Sequence, residues 1–241
     1  RSVAAPPTTV PPTPTSAPKA KGKLVMVIDA EYPKLDFQME RVRANATPLI
    51  YSIGETLTYR DAKTNQMLPS LAESWEQTSP DTWRFKLHKG VKFHNGEPFD
   101  AEAAAFSVKR ASDKKLNSDN LRYFGTIKEA KVVDPYTMDI VTDGPDGILP
   151  IRVFQLVIFP PKFLKEGSTE INTKIVGTGP YKFVEWVKGQ YLSFTANEDY
   201  WRGVPNIKEV TVMYRKEATV RAAMVRTGEA QLAYLIPPEE A

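Results

Sequence analysis

Cysteine is absent from this 241-residue chain, and histidine occurs only twice, as His88 and His94. The first absence excludes disulfides, thiolate metal sites and cysteine nucleophiles. It says little about compartment, because a chain without thiols suits either redox environment. No apolar run approaches the ~18 residues that a membrane-spanning helix needs. A Gly-x-Ser-x-Gly elbow is missing, and so is a phosphate-cradling Gly-x-Gly-x-x-Gly loop. Acids are missing from residues 1–23, which hold Arg1, Lys19, Lys21 and Lys23. The formal charge of +3 belongs to that end, since the remainder carries 28 basic against 29 acidic residues. That balance argues against a nucleic-acid-binding surface on the folded part.

Hydrophobic residues make up 41% and charged residues 25%. That composition supports one large or two small domains with a sizeable core. Residues 1–22 hold six prolines and four threonines and almost no large apolar side chain. Such a segment buries too little surface to offset its ordering entropy, and it reads as an extended tether or a processing remnant.

From Lys23 onward the pattern is that of a mixed α/β chain. Lys23-Leu-Val-Met-Val-Ile-Asp29 is a short apolar run behind Gly22, a buried strand. Leu49, Ile50, Ile53 and Leu57 recur at helical spacing within 46–57. Asp61 to Gln66 is a polar turn. Asp100 is a good N-cap for a helix whose apolar face is Ala101, Ala104, Ala105 and Val108. Residues 127–133 and 137–142, split by Asp134-Pro135, read as an antiparallel pair. Strands follow at 181–187, 191–196 and 210–214. A helix over 217–227 ends at Gly228, and a last strand covers 232–236. Hairpins and a β–α–β unit together predict an α/β sheet over 23–45 and 173–241, interrupted by a smaller antiparallel subdomain over 46–172.

Few constellations carry chemistry. His88 and His94 with Glu97 offer imidazole and carboxylate to a metal. Their spacing matches no ligand pattern, and Lys86, Lys89 and Lys92 oppose a cation. Strand-edge and turn positions explain both histidines more simply. Trp75, Trp83, Trp186 and Trp201 lie in or beside strands and read as packing rather than ligand stacking. The Asn95-Gly96 turn is a structural device. No catalytic group set and no cofactor is expected.

Two blocks carry more. The first is Leu71-Ala-Glu-Ser-Trp-Glu76 followed by Thr82-Trp-Arg-Phe-Lys-Leu-His-Lys-Gly-Val-Lys-Phe-His-Asn-Gly-Glu-Pro-Phe-Asp100. The second is Gly177-Thr-Gly-Pro-Tyr-Lys-Phe183 with Asn197-Glu-Asp-Tyr-Trp201 and Pro205-Asn-Ile-Lys208. In this order they resemble the extracytoplasmic solute-binding proteins of ABC importers, family 5, of the peptide, nickel and opine type. The resemblance covers nearly everything from Lys23 to Ala241, about the N-terminal lobe of such a protein.

The resemblance implies a periplasmic-binding-protein-like lobe of type II, with a mixed sheet and an inserted antiparallel α+β subdomain. It implies a monomeric receptor in the periplasm or on the outer face of the cytoplasmic membrane. With no cysteine here to carry a lipid, the signal and lipid anchor usual for such receptors are expected to have been removed or not included. Its partners would be an oligopeptide or small solute and the permease subunits of the transporter. Nothing is made or broken; two lobes close on the solute by a population shift. One lobe alone cannot enclose a ligand, so weak or no binding is expected of these residues by themselves. A stand-alone lobe acting as an envelope interaction module is the competing reading.

By analogy the ligand is met by loops at strand ends, where open α/β sheets receive small molecules. These are Glu31 and Tyr32 after the first strand and Arg41, Arg43 and Asn45 further along the same connection. Two arginines there suit bidentate capture of a carboxylate; a solvated loop is the plainer alternative. The family's Leu-x-Pro turn is replaced here by Leu35-Asp36-Phe37. Thr178 and Gly179 belong to the connection from the small subdomain back to the main lobe. Cleft lining and a purely structural crossing both fit that connection. Gln155 and Tyr123 are placed near the pocket and its mouth by the same analogy.

Overall fold

The computed structural model describes residues 21–39, 51–164 and 169–238. Most of the proline-rich segment expected over 1–22, and Arg41, Arg43 and Asn45, lie outside the described residues.

A five-stranded mixed sheet has the order β11 (Leu232–Ala233), β1 (Lys23–Ile28), β10 (Glu209–Tyr214), β9 (Tyr191–Ala196), β8 (Tyr181–Val187). β1 runs parallel to β10 and β11, with Ile28 opposite Tyr214 and Val27 opposite Ala233. β10 to β9 and β9 to β8 are antiparallel. The apolar run of β1 serves both faces. Val27 packs with Met224 and Ala230 of the C-terminal helix region, whereas Ile28 packs with Leu192, Phe194 and Val212 in a larger core.

The second sheet is antiparallel throughout, ordered β4 (Ala72–Ser79), β5 (Thr82–Leu87), β7 (Thr137–Thr142), β6 (Ile127–Asp134). Its inner side chains Phe85, Met138 and Ile140 are fully buried, each worth roughly 1.5–3 kcal/mol relative to exposure. They share a core with the helix Ala101–Ser112, capped by Asp100 accepting from the Ala103 amide at 2.9 Å. A short hairpin, β2 (Thr58–Arg60) and β3 (Met67–Pro69), flanks it.

Two expected elements are shorter than their patterns. The helical spacing through Leu57 stops at Ile53. There the Ile53 carbonyl accepts from the Gly179 amide at 2.9 Å, and Thr56 forms a bridge with Val157. Tertiary partners thus take the backbone groups a continued helix would use. At the other end, β11 has two residues, because Leu235 turns to φ 51.

Candidate functional site

The two sheets meet along four segments: 31–39, 52–57, 157–159 and 177–180. The Gln38 side chain donates to the Val157 carbonyl at 2.7 Å. The Ile158 amide donates to the Glu55 carbonyl, and the Gly179 amide to that of Ile53. A continuous run of hydrogen bonds therefore joins the connection after β1 to the return segment 177–180. Asp36 fixes the first segment by a bidentate pair with Arg110, at 3.1 and 2.5 Å. Both members are largely buried, at 4% and 18% side-chain exposure.

Gly177 and Gly179 are present for space. A Cβ on Gly177 would lie 2.2 Å from the Ile53 carbonyl oxygen, and one on Gly179 would lie 2.7 Å from the same atom. Backbone meets backbone here without room for a side chain.

His94 closes the joint from the other sheet. Its own amide donates to the Gly177 carbonyl at 2.8 Å. The Gly177 amide donates to Nδ1 at 3.2 Å, so Nε2 carries the hydrogen and donates to the Gly179 carbonyl at 2.9 Å. Burial pushes the imidazole pKa down to about 4, against the stabilising Gly179 carbonyl. The ring is a neutral cross-link at ordinary pH.

Glu55 is the second buried titratable group at the junction, 4% exposed. Tyr200 Oη donates to Oε1 at 2.9 Å and Trp201 Nε1 to Oε2 at 2.9 Å. Burial raises the carboxyl pKa, opposed by the Trp201 bond and by Thr178, Arg202 and Tyr200. Among the described residues the Thr178 hydroxyl meets no partner at hydrogen-bond geometry, yet it sits near enough to favour the carboxylate. Arg202 lies 4.3 Å above the Trp201 ring and donates to the Ser70 carbonyl at 2.9 Å.

The remaining predicted residues are spread over several places. Glu31 accepts from Trp186 Nε1 and from the Gly189 amide, both at 2.8 Å. Tyr32 is buried edge-on against Phe37 and Tyr214, each ring 6.2 Å away. Gln155 lies half-buried in a helical turn next to Phe154, whose carbonyl accepts from Tyr51 Oη at 3.1 Å. Tyr123 is half-buried beside Arg122, 4.6 Å from its ring. Thr178 and Gly179 lie at the joint with Glu55 and His94, two residues the pattern did not single out as partners. Neither partnership leaves a local signal, since His94 and Gly179 are 85 positions apart. Among the described residues no group of three or more His, Asp and Glu could hold a metal. Among the described residues the geometry joins backbones and leaves strand-end loops around the joint.

This architecture has counterparts. The family model described as bacterial extracellular solute-binding proteins, family 5 Middle, matches residues 66–241. The chain belongs to this family. The glutathione-binding protein GsiB of Pectobacterium atrosepticum is 35% identical over 185 residues, covering 74% of this chain and 36% of the relative. The oligopeptide-binding protein AppA of Bacillus subtilis, solved with a nonapeptide, superposes with a TM-score of 0.81 at 26% identity. That match covers 87% of this chain and 43% of AppA. A nickel ABC transporter protein of Bacillus halodurans gives 0.77 at 26% identity, over 91% of this chain and 44% of that protein. The chain thus spans about a third of the length of the curated relative and under half of the solved ones. No helix among the described residues is long and apolar enough to cross a membrane.

Proposed function

We propose that this chain is one lobe of a receptor that captures a peptide-like or small polar solute and passes it to the permease of an ABC importer. Family membership over residues 66–241 carries the reading. The division into a main lobe over 23–45 and 173–241 and an inserted subdomain over 46–172 belongs to the proposal. It is supported by the membership of the two sheets, one built from strands at 23–28 and 181–233, the other from 72–142. The solute meets the strand-end loops, with Glu31, Tyr32, Tyr123, Gln155, Thr178 and Gly179 as the candidate wall and Arg41, Arg43 and Asn45 on the adjoining connection. The receptor acts as a monomer outside the cytoplasm. A peptide is favoured over a bare metal ion, because the histidines and acids of the described residues do not cluster.

Titration calorimetry tests this on the protein expressed from its complete gene, with a tripeptide thiol, a nonapeptide and nickel–histidine as probes. Micromolar or tighter binding of a peptide is expected, with weak or no binding to the 241 residues alone. Failure of every peptide to bind the folded full-length protein would overturn the reading.

A further inference from the structure

The C-terminal helix Ala218–Arg226 carries one side chain that its surface pattern does not explain. Arg221 sits in the first turn, where the helix dipole disfavours a cation, and yet it is 3% exposed. Among the described residues no carboxylate pairs with it. Its four side-chain hydrogen bonds among the described residues all go to main-chain carbonyls. Nε donates to Tyr234 at 3.0 Å and one terminal nitrogen to Leu235 at 2.6 Å. The other donates to Arg215 at 2.8 Å and Lys216 at 2.6 Å.

These acceptors belong to two exits at the same end of the sheet, with β1 lying between their strands. Arg215 and Lys216 follow β10, and Tyr234 and Leu235 follow β11. The last ladder bond of β11 is the Tyr234 amide to the Val27 carbonyl. One residue later Leu235 adopts φ 51, a left-handed conformation that a branched side chain resists. Its side chain is 58% exposed, so packing does not hold it there. Strained backbone persists only where its surroundings over-determine it. The fork of the guanidinium, with donors fixed in one plane, supplies that constraint; the single nitrogen of a lysine cannot span the four carbonyls.

We infer that Arg221 is a positioning residue that locks the exit of β11 onto the exit of β10 and so fixes the direction in which residues 235–238 leave the sheet. Resting on the proposed receptor function, this exit is the crossing toward the second lobe, and Arg221 sets the geometry about which the lobes close.

Hydrogen exchange on the whole chain, without solute, tests the lock apart from the receptor reading. Arg221→Lys should speed exchange of the Tyr234 amide, which donates to the Val27 carbonyl, by about tenfold while leaving Leu192 and Phe194 of β9 unchanged. A change below about twofold at Tyr234 in the folded variant overturns the lock. Should Arg221→Lys fail to fold, Leu235→Gly decides. With the strain removed from an otherwise intact lock, the melting temperature should rise; an unchanged or lower value overturns the proposal. Solute affinity is measured separately. A loosened exit in a protein that binds no peptide would sink the receptor reading and leave the lock standing.

Discussion

His94 donates from Nε2 to the Gly179 carbonyl at 2.9 Å, across 85 positions of sequence. With the Gly177 amide on its other nitrogen, the ring has one proton and no place for a second. Protonating Nδ1 would set a donor against the Gly177 N–H.

The pH dependence follows from that geometry. The folded pKa, about 4, lies below the ordinary 6.5. The unfolded chain therefore binds a proton first as pH falls. The stabilisation is complete above about pH 6.5 and is lost as pH drops toward 4, an effect of roughly 3 kcal/mol. Urea unfolding of wild type and His94→Ala at pH 7.5 and 4.5 checks it. The gap between the two proteins should shrink at the lower pH; a constant gap would refute the neutral cross-link.

Glu55 has the opposite sign. Its pKa is raised by burial, so the ionised form is disfavoured in the fold. Its contribution is present at low pH and lost as pH rises through the folded pKa. Glu55→Gln removes the charge; the new amide can accept from Trp201 and donate to the Tyr200 hydroxyl. It should match or exceed wild type in denaturant stability at pH 7.5. Glu55→Ala strands both donors and should cost about 2–4 kcal/mol. Equal losses for the two variants would contradict this account.

Gly177→Ala and Gly179→Ala place a methyl against the Ile53 carbonyl. Neither neighbour is a flexible side-chain end, so each should cost about 2 kcal/mol or more, or abolish folding. Gly144→Ala and Gly147→Ala meet nothing within 4 Å and serve as controls. Thermal melts of the four variants separate crowding from a general intolerance of glycine substitution.

Removing one member of the Asp36–Arg110 pair should cost about 3–5 kcal/mol, because a buried charge is left alone. The double variant Asp36→Ala with Arg110→Met should lose less than Asp36→Ala by itself. Lys131→Ala breaks the exposed pair with Glu129 and should change stability by under about 0.5 kcal/mol. A double-mutant cycle in urea measures all three.

Much of the local structure was legible in the chain. The run at 23–28, the alternation of 191–196 and the cap at Asp100 each carry their cause within a few residues. So does the end of the C-terminal helix at Gly228, whose φ of 78 suits glycine alone. The two blocks at 71–100 and 177–208 also identified the family. Leu57 and Leu235 misled, since their spacing asked for helix and strand while partners elsewhere claimed their backbone. The partnerships at the joint were hidden for a related reason. Nothing near Glu55 announces that Tyr200 and Trp201 will meet it across 145 and 146 positions.

Periodicity, capping and turn chemistry act between neighbours, and so the sequence by itself determined which segments became strands and helices and which way their apolar faces turned. Tertiary structure alone decided which carbonyl would claim the His94 proton, which side chains would satisfy the Glu55 carboxylate, and which carbonyls Arg221 would bridge. Those choices depend on burial, which strengthens each hydrogen bond and penalises each unpaired group only after distant segments have excluded water together.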